Sequence, residues 1–509
     1  MPRKPLRTVA ELLAELPPSQ RAELVNCTSE TAIGQPTDDS RAVTPGASFI
    51  ATQGLTTDGH RYLGAAIRAG ASLLIVQRDR AGDLDDHPRV VVDDSKAILP
   101  ILAAGWYGWP GERLRLAGIT GTNGKTTTAH LVGAVLRAAG HPHVRLGTTG
   151  NWLVDHESRS GFTTAFPLEL QALLADAVAR GATHGVMEVS SHALEQGRAA
   201  PLRFASVALT SFSQDHLDYH PSMAEYLAAK CLLARHHCEL AGVAIAPREQ
   251  GAATQAFLAA AAEAGVARRW KTSRSPVAPS EADIAVIERL PQPGAHARVR
   301  TPIGELELRS PMVGEYNLDN LLVTIGVCIG LDLGLEQIAT ALAEARGAPG
   351  RLEPVRTAGV SGPAVYVDYA HTPDAVERAL EALRPSVPAG GKLIVLLGCG
   401  GDRDPHKRPL MGEIASRRAD RFYATSDNPR TEDPEAIVDQ MIAGAVPGAE
   451  LIREVDRATA IARAIAEASE QDIVLIAGKG HEDYQILGTQ KIHFDDREHA
   501  EQALRNKMG

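Results

Sequence analysis

Short runs of apolar residues alternate along this chain with amphipathic stretches of helical length. Apolar runs predict buried strands at 49–51, 73–76, 114–119, 185–189, 206–209, 364–368, 392–397 and 472–477. Helical periodicity predicts helices at 62–69, 127–139, 168–180 and 223–235. Strands that alternate with helices indicate an α/β protein with mostly parallel sheets. Residues 241–310 are rich in Ala, Pro and Glu, and their pattern predicts only mixed structure.

The length of the chain suggests more than one domain. At roughly 100–200 residues per domain, 509 residues correspond to about three domains. We place their boundaries at residues 1–105, 106–349 and 350–509.

Composition and charge exclude several classes of protein. The net charge of −10 disfavours a protein that binds the phosphate backbone of nucleic acids. The five cysteines form no C-x-x-C pair, so a zinc or redox motif is unsupported. The longest apolar run, at 321–331, is too short to cross a bilayer. A cytoplasmic protein is the expectation.

A glycine-rich turn follows the strand predicted at 114–119. It reads Gly121-Thr122-Asn123-Gly124-Lys125-Thr126, and a helix is predicted to begin directly after it. Backbone N–H groups at such a helix N-terminus bind phosphate, and a Lys followed by Thr supplies a cation and a ligand for Mg²⁺. The usual spacing of this motif would place a glycine at 119, where the chain has isoleucine. The turn therefore predicts an ATP-binding loop of a variant type.

Further acidic and basic residues lie in this middle region. Glu188 ends a predicted strand, and a carboxylate there suits the oxygen-preferring Mg²⁺. Residues 215–220 cluster carboxylates and imidazoles in one predicted loop, which suggests a second metal site. Taken alone, each of these patterns is equally well explained by a structural loop. Lys230 lies on the helix predicted at 223–235.

Taken in order, these motifs resemble the Mur ligases over nearly the whole chain. The resemblance covers Asp39-Ser40-Arg41, Pro45-Gly46, Phe49, Gly54 and Asp58-Gly59 near the N-terminus. It continues through the loop at 121–127, the G-x-x-N-x-x-N segment formed by Gly314, Asn317 and Asn320, and the segments 350–353 and 368–373. It implies a small α/β UDP-binding domain, a central P-loop-type parallel-sheet ATPase domain and a C-terminal Rossmann-like domain.

Two C-terminal motifs resemble the branch of this family that adds meso-diaminopimelate to UDP-MurNAc-L-Ala-D-Glu through an acyl phosphate. They are Asp427-Asn428-Pro429-Arg430 and Gly478-Lys479-Gly480-His481-Glu482. Diaminopimelate carries a second carboxylate and a second ammonium group. Arg430 and Arg403 can bind the carboxylate through charge-assisted hydrogen bonds, and Glu482 and Asp427 can bind the ammonium.

The resemblance also implies a role for each of several residue groups. The implied ATP contacts are Gly121, Thr122, Asn123, Gly124, Lys125, Thr126, Thr127, Asn320, Arg351 and Asp368. The implied contacts of the UDP-linked dipeptide are Ser40, Leu55, Thr56, Thr57, Thr163, Thr164, Ser190, Gln196 and Arg198. The implied contacts of diaminopimelate are Arg403, Asp427, Asn428, Pro429, Arg430, Gly478 and Glu482. The implied Mg²⁺-associated residues are Thr126, Glu188, His216 and Lys230 as a carbamate. The implied catalytic residues are Lys125, Glu188, His216 and Lys230.

The chain departs from the family pattern at three positions. Phe162 and Ser211 stand where Asn is typical, and Gln214 stands where Arg is common. The substrates implied are small molecules, with neither nucleic acid nor membrane insertion, and a monomer is expected. Two alternatives stay open at this point. One is a sibling ligase that adds lysine, D-Ala-D-Ala or glutamate to a folate, and the other is a non-catalytic regulator that senses ATP.

Overall fold

The structure is a computed structural model, and it describes residues 3–54, 57–80, 84, 86–217, 219–290, 294–345, 347–355 and 362–507. The chain divides into two compact units. The first comprises 1–273, 280–284 and 323–338, and the second comprises 274–279, 285–322 and 339–509.

Strands and helices alternate through both units, which confirms the predicted α/β class. The strands are β1 (Ala22–Val25), β2 (Pro36–Thr37), β3 (Ser48–Ile50), β4 (Leu73–Gln77), β5 (Arg89–Val92), β6 (Arg115–Thr120), β7 (His143–Leu146), β8 (Asn151–Leu153), β9 (His156–Ser158), β10 (His184–Glu188), β11 (Phe204–Leu209), β12 (Cys238–Pro247), β13 (Arg268–Ser273), β14 (Ile284–Arg289), β15 (Ala295–Thr301), β16 (Gly304–Ser310), β17 (Glu353–Val355), β18 (Ala364–Asp368), β19 (Leu393–Cys399), β20 (Arg421–Ser426), β21 (Leu451–Arg453), β22 (Ile473–Ala477), β23 (Tyr484–Leu487) and β24 (Gln490–His493). The α-helices are α1 (Val9–Glu15), α2 (Leu63–Arg68), α3 (Ser95–Trp106), α4 (Lys125–Ala138), α5 (Pro167–Ala179), α6 (Ser191–Glu195), α7 (Met223–Leu232), α8 (Ala252–Glu263), α9 (Glu315–Gly330), α10 (Leu335–Glu344), α11 (Pro373–Leu383), α12 (Lys407–Arg418), α13 (Pro434–Ile442), α14 (Arg457–Glu467) and α15 (Asp496–Asn506).

The first unit contains a small sheet close to the N-terminus. Its strand order is β1-β5-β4-β3-β2, with β1 antiparallel to β5 and the other strands parallel. The four residues Leu73 to Val76 of β4 are all buried, as a continuous apolar run in a covered parallel strand requires.

A larger sheet of the first unit carries the phosphate-binding loop. Its strands lie in the order β13-β12-β11-β6-β10-β7-β8-β9, and β6, β10, β11 and β12 are parallel. Every residue of β11 is buried. Because Ile119 in β6 is level with Glu188 in β10, and Thr120 is level with Leu209 in β11, three strand ends converge on one edge. Ligands bind at this carboxyl edge in open α/β sheets.

The second unit holds an antiparallel meander and a mostly parallel sheet. The meander pairs β15 with β14 and with β16. The sheet order is β17-β18-β22-β19-β20-β21, and only the β17–β18 pair is antiparallel. The carboxyl ends of β18, β22, β19 and β20 therefore lie side by side, followed by the loops that begin at Tyr369, Gly478, Gly400 and Asp427.

The strands and helices predicted from the periodicity are confirmed to within a few residues. The helix predicted at 223–235 is α-helical to Leu232 and continues as a π-helical turn, Leu233–His237. The segment 241–310, for which only mixed structure was predicted, contains α8 and most of β12 to β16. Within the described ranges, no helix is long and apolar enough to cross a membrane.

Candidate active site

The glycine loop connects β6 to α4 and is held by the end of β11. Gly121 has φ of 149°, and a Cβ there would lie 2.1 Å from the Thr210 hydroxyl. The carbonyl oxygen of Asn123 accepts hydrogen bonds from the hydroxyls of Thr210 (2.5 Å) and Ser211 (3.0 Å). The Ser211 hydroxyl also accepts from the Asn123 N–H at 2.9 Å. Ser211, one of the departures from the family pattern, therefore fixes the shape of the loop.

Lys125 is the first residue of α4, directly after Gly124 in the left-handed conformation (φ 88°). Its ammonium donates to the carbonyl oxygens of Gly121 (2.8 Å) and Thr122 (2.9 Å). The N-terminus of α4 and this lysine together give the loop a positive potential suited to phosphate.

Glu188 is buried at the end of β10, and its side chain is held by residues of two other segments. Its carboxylate accepts hydrogen bonds from the Thr126 hydroxyl (2.9 Å) and from the N–H (2.9 Å) and hydroxyl (3.2 Å) of Thr148. The structure thus brings Thr126 and Glu188 together. Among the described residues, no three His, Cys, Asp or Glu side chains form a metal-binding group.

The predicted contacts of the peptide substrate form a connected network beside Glu188. The Thr163 hydroxyl accepts from the Thr148 hydroxyl at 3.1 Å, and the Thr164 hydroxyl donates to the Glu188 carbonyl oxygen at 3.0 Å. The Ser190 N–H donates to the Thr164 hydroxyl at 3.1 Å. Five of the predicted peptide contacts lie here, since Arg198 donates to the Thr164 carbonyl oxygen (3.0 Å) and to Gln196 (2.8 Å).

Phe162 lies on the surface next to this network. It is 51% exposed and makes an edge-to-face contact with Phe166, with ring centroids 5.0 Å apart. The Arg198 guanidinium lies over the Phe166 ring at 3.9 Å. An aromatic side chain, packed against a second ring, therefore stands where the family pattern has an amide. Gln214, the third departure, is exposed.

Lys230 is buried in α7, with 1% of its surface exposed. Its ammonium lies 4.2 Å from the centre of the Tyr226 ring, and the Tyr226 hydroxyl is 3.2 Å from that of Thr122. Burial holds the pKa of Lys230 well below its ordinary value, and the positive charge of Lys125 acts in the same direction. His216 is exposed, has a left-handed backbone (φ 54°) and lies 6.0 Å from the Tyr226 ring.

Residues predicted to contact the uridine end lie around the small N-terminal sheet. Ser40 follows β2 and is half-buried, whereas Thr57 is exposed and its carbonyl oxygen accepts from the Gly54 N–H. Leu55 and Thr56 lie outside the described residues. A cavity of about 490 Å³ lies near Ser40, and its walls include Thr37, Asp38, Thr44, Phe166 and Glu169.

The second unit contains three further residues predicted to contact ATP. The Asp368 carboxylate, buried at the end of β18, accepts from the N–H groups of Leu352 (2.6 Å) and Ala370 (2.8 Å). Burial raises the pKa of Asp368. Arg351 lies 4.9 Å from the centre of the Tyr369 ring, and Asn320 is buried in α9 with its amide donating to Asn317 (3.3 Å).

The two motifs predicted to bind diaminopimelate face each other across the sheet edge of the second unit. Asn428 donates to Glu482 at 2.9 Å, and its side-chain oxygen accepts from the Ile486 N–H (2.9 Å). Lys479 is fully buried and donates to both Asn428 (3.3 Å) and Glu482 (3.2 Å). Its ammonium lies 3.9 Å from the Asp427 carboxylate.

Arg430 approaches the loop that follows β19. It has a left-handed backbone (φ 50°), and its guanidinium donates to the Gly401 carbonyl oxygen at 2.7 Å. A Cβ on Gly400 would lie 3.0 Å from the Arg430 guanidinium and 3.9 Å from Cγ of Arg403. The two arginines predicted to bind one carboxylate therefore flank the same glycine.

Family models match three segments of the chain. Residues 37–107 match the Mur ligase family catalytic domain, 119–328 the Mur ligase middle domain, and 350–480 the Mur ligase glutamate ligase domain. A protein of Synechococcus sp. (strain WH7803), named UDP-N-acetylmuramoyl-L-alanyl-D-glutamate--2,6-diaminopimelate ligase, is 45% identical over 482 residues. That alignment covers 92% of this chain and 94% of the relative.

The chain belongs to the Mur ligase family.

Solved structures agree with this Mur ligase assignment. A structure of a UDP-N-acetylmuramoyl-L-alanyl-D-glutamate--2,6-diaminopimelate ligase matches with a TM-score of 0.71 and 28% identity, covering 99% of this chain and 100% of that one. The MurF ligase from Thermotoga maritima in complex with ADP shares the fold, with a TM-score of 0.59, 17% identity, and coverage of 93% and 98%. The predicted three-domain α/β architecture is confirmed.

Several residues that shape the site were not assigned from the sequence. Thr148 holds Glu188, and Tyr226 connects Thr122 with Lys230. Lys479 lies inside a motif that was recognised, yet its own role was not identified. A lysine between two glycines and three residues before a glutamate was the available signal for Lys479, whereas the sequence around Thr148 offers none.

Proposed function

We propose that this Mur ligase joins meso-diaminopimelate to UDP-MurNAc-L-Ala-D-Glu, with ATP converted to ADP and phosphate. The observation that carries the proposal is the arrangement of Asp427, Asn428, Arg430, Lys479 and Glu482 around one sheet edge. Relatives named for this reaction and similar over nearly the full length support it. The proposal includes the domain boundaries 1–105, 106–349 and 350–509 and a monomeric, cytoplasmic enzyme.

The glycine loop is proposed to bind the ATP phosphates. Backbone N–H groups of residues 121–127 would surround the phosphate oxygens, and Lys125 would leave the carbonyls of Gly121 and Thr122 to contact them. Asn320, Arg351 and Asp368 are proposed as further contacts of the nucleotide.

The donors at the end of β10 fit Mg²⁺. The Thr126 hydroxyl and the Glu188 carboxylate lie 2.9 Å apart. Both are hard oxygen ligands of the kind that this ion prefers. His216 and a carbamate on Lys230 are proposed to complete the surroundings of the metal. When bound, the ion would neutralise charge on the phosphoryl group during transfer.

The reaction proceeds in two steps in this proposal. The γ-carboxylate oxygen of the D-Glu residue attacks the γ-phosphorus of ATP, the bond to the β-phosphate oxygen breaks, and ADP leaves. Lys125 stabilises the negative charge that this transfer spreads over the phosphoryl oxygens. The neutral amine of diaminopimelate then attacks the acyl carbon, loses a proton, and expels phosphate to form the amide bond.

Charges in the second unit are proposed to select the amino acid. Asp427 and Glu482 supply two carboxylates, and Lys479 supplies one buried positive charge between them. The remaining negative charge suits one substrate ammonium, and Arg430 with Arg403 suits the distal carboxylate. L-Lysine lacks that carboxylate, so this arrangement favours diaminopimelate.

Phosphate release by the purified enzyme tests the proposal. The assay contains ATP, Mg²⁺ and UDP-MurNAc-L-Ala-D-Glu, and either meso-diaminopimelate or L-lysine is added. We expect release that depends on diaminopimelate. Release only with lysine would retain the family and overturn the substrate, and no release with either would point to a sibling ligase such as the one that adds D-Ala-D-Ala.

The same assay distinguishes an enzyme from a regulator that only senses ATP. A regulator would bind ATP with no turnover that requires the peptide substrate. We expect phosphate release to depend on both the UDP-linked dipeptide and the amino acid, because the acyl donor and the amine that accepts the acyl group are both consumed.

A further inference from the structure

A fully buried ion pair lies beneath the two motifs of the amino-acid site. Arg457 begins α14 and Asp496 begins α15, and both side chains have no exposed surface. The Arg457 guanidinium donates to the two carboxylate oxygens of Asp496 at 2.7 Å each. Such a bidentate pair fixes the plane of the guanidinium as well as its position.

The other N–H groups of Arg457 point to the ends of two strands. They donate to the carbonyl oxygens of Ser426 (3.2 Å) and Ala477 (3.1 Å). Ser426 ends β20 and is followed by Asp427, and Ala477 ends β22 and is followed by Gly478. Arg457 therefore binds the residue immediately before each motif.

The two strands that Arg457 connects are not neighbours in the sheet. β19 lies between β22 and β20, so no backbone ladder links their ends directly. The absence of a side chain at Gly398 of β19 allows the backbone of Asp427 to lie close to that strand, because a Cβ at Gly398 would lie 2.9 Å from the Asp427 nitrogen. A Cβ on Gly478 would lie 2.5 Å from the Asp427 carboxylate, so the two motif loops are already in close contact.

We propose that Arg457 and Asp496 are positioning residues for the amino-acid substrate. Their ion pair sets the spacing between the Asp427–Arg430 and Gly478–Glu482 loops, and through it the distance between the groups that bind the second ammonium and the second carboxylate. The identity of the amino acid in this inference rests on the proposed function.

The carboxylate of Asp368, a predicted ATP contact, is held without Arg457. It accepts from the N–H groups of Leu352 and Ala370, whereas the Asp368 carbonyl oxygen accepts from the Gly478 N–H at 3.1 Å. Loosening the ion pair should therefore change the site for the amino acid more than the site for ATP.

Two variants test the pair without leaving a buried charge alone. In the double variant Arg457→Met with Asp496→Leu, apolar side chains replace both ions, a change that proteins often tolerate. Arg457→Lys retains the positive charge and loses the planar guanidinium group that donates to the carbonyl oxygens of Ser426 and Ala477. The control is Arg421→Met, at the opposite end of the same strand β20, where the half-buried Arg421 pairs with the exposed Glu450.

Steady-state kinetics give the first readout. We expect the KM for meso-diaminopimelate to rise about tenfold or more in the double variant, because displacements on the order of 1 Å in a site have large effects. The KM values for ATP and for the UDP-linked dipeptide should stay within about twofold, and Arg457→Lys should be intermediate. Arg421→Met should lower the Tm and leave all three KM values unchanged.

Hydrogen exchange gives a second readout that does not depend on the identity of the substrate. Amides of 427, 428, 430 and 478–482 should exchange faster in the double variant, while those of 368–371 keep the rate of the unmodified enzyme. Unchanged exchange and an unchanged KM for the amino acid would overturn the proposal, as would an equal rise in all three KM values. If the unmodified enzyme fails to use diaminopimelate, the proposed substrate is wrong, and the exchange data still decide the positioning role.

Discussion

At the scale of single residues, Lys125 must change its partners before it can act. Its ammonium lies on the carbonyl oxygens of Gly121 and Thr122, so a phosphate has to replace these acceptors. We expect Lys125→Ala to lower kcat by at least about 100-fold, because a preorganised charge on the phosphoryl group is lost. Circular dichroism and Tm should match those of the unmodified protein. Retained turnover in a folded variant would show that the loop has been misassigned.

Lys230 is buried next to an aromatic ring, and burial lowers its pKa. A lower pKa leaves a larger fraction of neutral amine, which is the form that reacts with CO₂ to give a carbamate. We expect Lys230→Ala to be inactive and to regain partial activity with added short carboxylic acids, which replace the carbamate oxygens. The exposed Lys271→Ala should be fully active without them. Failure of every carboxylate to restore activity would count against the carbamate.

Arg430 combines a left-handed backbone with a guanidinium directed at Gly401. We expect Arg430→Lys to raise the KM for meso-diaminopimelate by roughly 10-fold to 100-fold, because a single ammonium cannot form the bidentate pair with a carboxylate. The KM for ATP should change little, and Arg417→Lys on the exposed face of α12 is the control. Equal changes in the two KM values would argue against a substrate contact.

At the scale of structural elements, glycines allow loops to approach each other at the sheet edges. Gly478 has φ of 118°, and a Cβ there would lie 2.5 Å from the Asp427 carboxylate. Gly448 has φ of 82°, and no atom lies within 4 Å of a Cβ there. The two positions therefore share a positive φ that would strain an alanine, and they differ in contact with the amino-acid site.

This difference predicts different effects of the same substitution. Gly448→Ala should cost about 1 kcal/mol of stability from its left-handed backbone alone and leave catalysis unchanged. Gly478→Ala should cost a similar amount and also raise the KM for diaminopimelate, because the Asp427 carboxylate has to move. Urea unfolding and steady-state kinetics on both variants measure this. An unchanged KM in Gly478→Ala would mean that the position of Asp427 does not matter for binding.

At the scale of the whole molecule, buried histidines should control stability in mild acid. Burial lowers the pKa values of His143 and His237 to about 4, well below the ordinary value of 6.5. The unfolded chain therefore takes up protons between pH 6.5 and 4 while the folded chain does not. The free energy of unfolding decreases as pH falls through this window, by on the order of 3 kcal/mol for each such histidine.

Calorimetry between pH 6.5 and 4.5 measures this effect. The double variant His143→Gln with His237→Gln should show a flatter dependence of Tm on pH, because glutamine does not titrate. His156→Gln removes an exposed histidine and should leave the dependence unchanged. An equally steep fall of Tm in the double variant would assign the acid sensitivity to other groups.

The sequence by itself determined the class of fold and most of the recognisable chemistry. Parallel strands such as β4 and β11 appear in the sequence as continuous apolar runs, because both of their faces are covered. Their positions could therefore be predicted from the sequence. The glycine loop and the Asp427–Arg430 motif were recognised because their residue types and local spacing carry the chemistry. The segment 241–310 was not resolved into elements because strands such as β15 and β16 carry many charged residues.

Only the tertiary structure decided which distant residues act together. Thr148 and Glu188 are 40 positions apart, and Arg457 and Asp496 are 39 positions apart, yet each pair is joined by hydrogen bonds. No local pattern predicts such pairs, because they depend on the order in which strands assemble into a sheet. Asp427 and Gly478 meet only because β20 and β22 flank β19 and end at the same edge. The amino-acid sequence determines which functional groups are present, and the order of the strands in the sheet brings those groups close to one another.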